Sequence, residues 1–351
     1  MRRQACWIIE NYTYRPCLRP WRESQYAVSL HNHSSYSVEN LASLNEVVKL
    51  FYMRPLSGAL QWAFGLDAAD AVNYADMVYN PPYTPEDVYR IESATAKRLG
   101  FGGVHLAITD HDECAGGVEL LGRRPDLADR VAIGEEVSIR FQGHLFHLGV
   151  SGLPLAGIGE THLRIQAAAR AGTLDDLFEL LAASDCLVVF NHPLIPWGPG
   201  GAARIPAAEL IARYGWAIHA LEYNGMRRRE ENDLILALAR ECHKPVVGGG
   251  DSHLLAASSV VCATRSDSFA GFIAEVKDGH AVPVVQSGYF APLRWKLFLR
   301  VLYFIAHYRR IASYRGRPVA SKLAGRLVPL DLAGYASRAF LAAVSRCGLV
   351  R

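Results

Sequence analysis

The chain of 351 residues carries histidines and carboxylates at spacings that suit metal ligation. In AVSLHNHSS, His31 and His33 stand two apart, and on an extended strand such residues share a face. LAITDHD ends in Asp110, His111 and Asp112, and VAIGEEVSI carries Glu135 and Glu136. GHLFHLGV holds His144 and His147, VVFNHP ends in His192, and VVGGGDSH ends in Asp251 and His253. Imidazole and carboxylate together form the donor set of Zn, Mn or Fe. Taken singly, each fragment has a plain structural use: a satisfied histidine pair, a turn, a helix cap, or glycines for unusual backbone angles. Six such fragments in succession, each closing an apolar run, predict instead that the side chains converge on metal ions.

The elements that must position them follow a rhythm. TPEDVYRIESATAKRLG predicts a helix with Thr84 as N-cap, Pro85 at the first helical position and a stop at Gly100. Beyond it, short apolar runs (VHLAI, CLVVF, AIHALEY, KPVVGG) alternate with helical stretches such as LDDLFELLAAS and REENDLILALAREC. That alternation indicates βαβ units, and their number predicts a closed or nearly closed (β/α) barrel, whose active site is built at the C-terminal ends of the strands. Residues 41–82 read as a mostly helical insertion and the stretch from about 290 as a basic helical tail. The expected division is an N-terminal segment over 1–27, a barrel over 28–287 and an extension over 288–351.

The net charge of +3 selects no class of partner. Its distribution is uneven: from Phe290 to Arg351 there are twelve Lys and Arg against Asp331 alone, which leaves the rest of the chain net-acidic. The basic tail therefore suits packing on the body, an anionic membrane surface or nucleic acid. Seven cysteines without a CxxC pair predict reduced thiols and a cytoplasmic protein. MRRQACWIIENYTYRP has no uninterrupted apolar run, so no signal peptide is expected, and no stretch approaches the ~20 apolar residues of a membrane span.

As an ordered set the motifs resemble those of the PHP (polymerase and histidinol phosphatase) superfamily. HNHSSYS is similar to its first motif, ITDHD to the second, GEEVSI with HLFHLGV to the third and FNHP to the fourth. LEYNG with GGGDSH resembles the closing segment. The resemblance implies a distorted (β/α)7 barrel holding two or three divalent ions (Mn, Zn or Fe). It implies His31, His33, Glu136 and Asp251 on a first ion and Glu136, His147 and His192 on a second. His111 and His253 would serve a third, with Asp110 nearby as an orienting or proton-handling carboxylate. Glu136 is preferred to Glu135 because it stands eleven residues before His147, as the family spacing requires. Where the family places Asp or His shortly after HxH, this chain has Val38 and then Glu39, so Glu39 is the expected ligand.

Two ions about 3.5–4 Å apart would bridge a hydroxide and clamp an in-line displacement at phosphorus, without a phosphorylated side chain. Arg227 and Arg228, just after LEYNG, are candidates for contact with a phosphate. The expected activity is hydrolysis of a small phosphorylated metabolite or nucleotide, because the net-acidic barrel would repel a long polyanion. An amidohydrolase-type hydrolase would call for a bridging lysine, and a non-catalytic metal-binding barrel would leave the filled ligand positions without a use.

Overall fold

The computed structural model describes residues 6–17, 25–42, 66–67, 72–194, 204–252, 258–291, 293–318 and 334–342, with 45, 58 and 61. They fall into two compact units: one of residues 1–36 and 83–291, the other of residues 37–82 and 292–351.

The first unit is built on a mixed sheet of eleven strands. In chain order these are β1 (Cys6–Glu10), β2 (Thr13–Pro16), β3 (Tyr26–Ser29), β4 (Gly103–Ile108), β5 (Val131–Phe141) and β6 (His144–Leu153). The next five are β7 (Leu187–Asn191), β8 (Ala220–Asn224), β9 (Val246–Gly249), β10 (Val260–Thr264) and β11 (Val282–Gln286). Their order across the sheet is β9-β8-β7-β6-β5-β4-β3-β10-β11-β1-β2. β3, β4 and β5 are mutually parallel, as are β7, β8 and β9, and the remaining pairings are antiparallel. Asn32, beyond β3, makes an isolated parallel bridge to Ser252, beyond β9, so the strand at one edge returns to the middle of the sheet. Helices join the strands: α1 (Pro85–Leu99), α2 (Ala115–Arg123), α3 (Ile158–Ala171), α4 (Leu174–Ala183), α5 (Arg204–Tyr214), α6 (Arg229–Glu241) and α7 (Phe269–Lys277).

The sequence rhythm is realised with two differences. GEEVSI and HLFHLGV belong to one long antiparallel hairpin, because Gln142 and Gly143 both take positive φ (51° and 78°), the two-residue turn that matches strand twist. Glu136 and His147 consequently sit inside strands and not at their ends. The N-terminal residues also extend the sheet, with β1 pairing β11 and β2 pairing β1. Helix α1 starts and stops as the residues predict: Thr84 and Asp87 form a capping box, and Gly100 closes the helix in the left-handed conformation.

Burial on both faces explains the apolar runs. On one face Val28, Leu30, Ala107, Ala132, Val189, Ala220 and Val247 pack against Phe269, Phe272 and Val276 of α7. On the other, Val137, Ile139, Phe146, Leu148, Phe190 and Leu221 meet Leu177, Phe178, Leu210 and Leu236 of the helices, with Phe178 stacked on Tyr214 at 4.2 Å. Alternation along a strand then assigns each polar residue its side. Glu136 follows Ala132 and Gly134, while Glu135 follows Ile133 to the helical side, where His162 Nδ1 lies 2.9 Å from it and Gln166 donates to it at 2.9 Å.

The second unit joins two distant segments. Strands Glu39–Asn40, Met77–Tyr79, Ile311–Tyr314 and Arg317–Pro318 form an antiparallel sheet. Phe304 of α8 (Leu293–Ala306) packs on Tyr74 and Tyr79, with ring centroids 6.4 and 5.8 Å apart, so the insertion and the tail share a core. Several basic residues of the tail are used inside this unit. Arg310 donates to Pro82 O, Arg338 donates to Ala306 O, and Arg315 pairs with Asp76 at 3.6 Å. Most of the predicted helical insertion and the stretch 319–333 lie outside the described residues. No described helix is long and apolar enough to cross a membrane.

Gly134 tests the hairpin. The β5–β6 register shifts between Ile133 and Gly134, and a Cβ there would collide with the carbonyl oxygen of Val150, a backbone atom that cannot swing away. Gly134→Ala should cost about 1–3 kcal/mol, as overpacking does, read as a lower urea midpoint at unchanged m-value.

Candidate metal centre

Seven of the expected ligands converge within the first unit: His31, His33, His111, Glu136, His147, His192 and Asp251 form interlocking groups, the ligand atoms of each group lying within 4.8 Å of one another. The hub is Glu136, fully buried on β5. Its Oε2 lies 3.2 Å from His31 Nε2, 3.4 Å from His33 Nε2 and 3.1 Å from His111 Nδ1. Its Oε1 lies 3.2 Å from His147 Nδ1 and 3.1 Å from His192 Nε2. Asp251 Oδ1 stands 3.8 and 3.9 Å from His31 and His33 Nε2, on the Oε2 side. One carboxylate thus faces a different set of nitrogens with each oxygen.

The backbone brings these side chains in from separate elements. His31 and His33 flank Asn32, whose side chain turns away to bond Ser29 O and Ala107 O, leaving the two imidazole nitrogens 3.0 Å apart. His111 is bridged to Glu136 through the parallel extension of β4. His192 and Asp251 both sit at positive φ, 27° and 49°. Such angles are uncommon for residues with a Cβ and cluster where a site over-determines the backbone. Asp110, fully buried, accepts from the Ser34 N–H and from Ser34 Oγ at 2.7 Å, which pins the loop carrying the two histidines.

The electrostatics are those of crowded donors. Burial by itself would depress the His31 imidazole, but the carboxylates of Glu136, Glu222 and Asp251 reverse that and hold it well above its usual value. Burial would raise the Glu136 carboxyl, and the facing imidazoles of His31, His147 and His111 bring it well below the usual range instead. For His147 burial wins, and its pKa is lowered despite Glu136. Glu136 Oε2 and His147 Nδ1 are buried and make no hydrogen bond among the described residues. Buried polar atoms are nearly always partnered. A divalent ion accepting lone pairs from both sides fits this donor set, and the convergence of buried nitrogen and carboxylate oxygen is what such an ion requires.

Glu39 belongs to the second unit, where Ser37 Oγ donates to its Oε1 at 2.6 Å. His253 lies outside the described residues. His144 sits half-buried at the start of β6 with its ring near Phe146. Arg228 is exposed and caps α6: its N–H and guanidinium both reach Glu231, at 2.9 and 3.2 Å. Arg227 is half-buried just after β8, and its Nε is buried with no acceptor among the described residues.

Sequence reasoning missed the layer beneath the cluster. Glu222 and Asn224 lie on β8 on the same face as Ala220, all buried. Glu222 Oε1 is 2.7 Å from His31 Nδ1, and Oε2 accepts from the His192 N–H at 3.0 Å and from Asn224 Nδ2 at 2.9 Å. Asn224 Nδ2 also donates to Asp251 Oδ2 at 2.9 Å, and Asn191 Nδ2 donates to Glu136 Oε1 at 3.0 Å. Asn232 of α6 grips Asn224 by its backbone: Oδ1 accepts the Asn224 N–H at 3.0 Å and Nδ2 donates to its carbonyl at 2.9 Å. The signal in the sequence was the period-two placement of Glu222 and Asn224 in an otherwise apolar run.

No family model and no curated protein matches the chain. Among solved structures it is similar to PsfC from Pseudomonas syringae, at 16% identity and TM-score 0.41, over 80% of this chain and 97% of that one. It is similar to a two-domain protein from Bacteroides vulgatus containing a predicted PHP-like metal-dependent phosphoesterase, at 12% identity and TM-score 0.41, over 74% and 64%. It is also similar to an amidohydrolase from Chromobacterium violaceum with bound sulfate and no metal, at 16% identity and TM-score 0.38, over 63% and 92%.

Asn232→Ala removes both bonds to Asn224 and strands its buried N–H and carbonyl. The expected loss is about 1–3 kcal/mol of unfolding free energy, the cost of leaving buried polar groups unpaired, measured by denaturant unfolding.

Proposed function

We propose that this protein is a metal-dependent phosphoesterase of the PHP kind, acting on a small phosphorylated metabolite or nucleotide. The observation that carries the reading is the division of Glu136 between two sets of imidazoles, the arrangement of a carboxylate shared by two ions. In this reading His31, His33, Glu136 and Asp251 would hold one ion, and Glu136, His147 and His192 would hold the other. His111, on the Oε2 side, and His253, by its place in the motif order, extend the set toward a third. Strands β3 to β9 would form the distorted seven-stranded barrel, closed by the bridge between Asn32 and Ser252. Ions bound there would supply Lewis acidity and lower the pKa of water.

The chain's own residues do the positioning. Asp110 holds the histidine loop through Ser34, and Asn224 holds Asp251. Arg227, with a buried Nε that lacks an acceptor among the described residues, supports recognition of an anionic group, for which a guanidinium is suited by charge and fork geometry. The amidohydrolase alternative loses ground to the carboxylate in the shared position.

Elemental analysis, with Mn-supplemented hydrolysis of p-nitrophenyl phosphate and its bis-ester, tests the reading. Wild-type protein should bind divalent metal and hydrolyse one of the esters. Glu136→Gln should lose metal and more than about 100-fold in turnover, beyond the cost of removing an outer hydrogen-bond partner. Wild-type protein free of metal would end the metal reading, and metal without turnover of either ester would end the phosphoesterase reading.

Arg227→Ala should raise KM roughly 10- to 100-fold, the worth of about 1.5–3 kcal/mol for a hydrogen bond to a charged group, with kcat nearly unchanged. An unaltered KM would remove Arg227 from the substrate site.

A further inference from the structure

An imidazole ligates through one nitrogen only if the proton resides on the other, and the partner of that other nitrogen decides where the proton sits. For His31 that partner is Glu222. Glu222 is 1% exposed, and its two oxygens are used in opposite directions. Oε2 is met by two donors, the His192 N–H and Asn224 Nδ2. The orientation of Asn224 is not free, since its Nδ2 faces two carboxylates and its Oδ1 accepts the Met226 N–H at 2.8 Å. Oε1 is left for His31 Nδ1 at 2.7 Å, and an ionised carboxylate can only accept there. Space for this oxygen comes from Gly249 on the neighbouring strand, where a Cβ would overlap Oε1. Across the ring, His31 Nε2 points into the cluster, 3.2 Å from Glu136 Oε2 and 3.0 Å from His33 Nε2.

Given that the cluster holds metal, as proposed for its function, we infer that Glu222 is a positioning residue. It fixes His31 with its proton on Nδ1, so that the Nε2 lone pair is the one presented to the ions. The same carboxylate steadies the His192 backbone at its positive φ and, through Asn224, the Asp251 carboxylate, so one residue sets ligands on both sides of Glu136.

Glu222→Gln discriminates this from a space-filling role, because the amide has the same shape but one acceptor in place of two. The backbone N–H of His192 requires the amide oxygen on its side. The amide NH2 then faces His31 Nδ1 and donates to it, which moves the ring proton to Nε2 and blocks the ligating lone pair. Zn2+ affinity, measured by competition with a chromophoric chelator, should fall about 10- to 100-fold, the range for outer partners of metal-bound histidines. In two-bond 1H–15N spectra, His31 should carry its proton on Nδ1 in the wild type and on Nε2 in the variant.

The wild-type spectrum needs no variant to fold: a neutral His31 ring protonated on Nε2 overturns the proposal. So does a folded Glu222→Gln protein with unchanged Zn2+ affinity and unchanged His31 nitrogen shifts. The spectra are also taken on zinc-free protein at alkaline pH. A wild type that binds no Zn2+ would therefore end the metal reading, while the spectrum still decides the assignment of the proton.

Discussion

A carboxylate fully removed from water must be compensated, and Glu136 is the place where this chain meets that demand. Burying an ionised carboxyl costs several kcal/mol even after relaxation, and a neutral imidazole returns only part of it. The surroundings of Glu136 contain five imidazoles and the carboxylate of Asp251, and below them that of Glu222. Protons on some of the histidines can balance the charge, and the carboxylates around His31 push it in that direction. Divalent cations balance it better, since they accept lone pairs from imidazole and carboxylate alike and need no proton between them. Everything around the hub answers that constraint: donors from separate chain segments, an outer layer of amides, and a backbone held at positive φ at two ligands.

The sheet meets the constraint by giving its two faces different work. Residues in step with Ala132 and Ala220 fill an apolar interior at one end and turn polar at the other, so the same alternation that packs Val189 also delivers Asn191. The β5–β6 hairpin departs from a simple repeat of parallel strands and helices. It lets adjacent antiparallel strands contribute Glu136 and His147 from within the ladder, where neighbouring backbone holds them more firmly than a loop would.

Much of this was legible in the residues and some was not. The histidine and carboxylate fragments announce themselves, because polar side chains closing apolar runs are hard to explain by packing, and the motif resemblance, with its eleven-residue interval before His147, implies the glutamate that faces the cluster. Glu222 escaped because a single acid within ALEYN resembles a surface residue unless the strand is known to be covered on both sides. Asn232 escaped for a related reason, since asparagine in a helix signals nothing until the helix start is placed against β8. The union of insertion and tail was invisible: pairing of Met77–Tyr79 with Ile311–Tyr314 depends on contacts across most of the chain, and local periodicity holds no record of them.

That long-range pairing bears on how the protein is made. Arg310 and Pro82, hydrogen-bonded in the second unit, are 228 residues apart. Closing so long a loop in an unstructured chain carries an entropy cost that grows with the logarithm of its length. Synthesis proceeds from the N-terminus, so Tyr74, Met77 and Tyr79 leave the ribosome long before Phe304 exists to cover them. The first unit, whose own segments are complete at residue 291, can fold in the interval. Until those later residues are made, the strand Met77–Tyr79 lacks both its ladder partner at Ile311–Tyr314 and the ring of Phe304, the kind of unpaired apolar edge that favours association during folding.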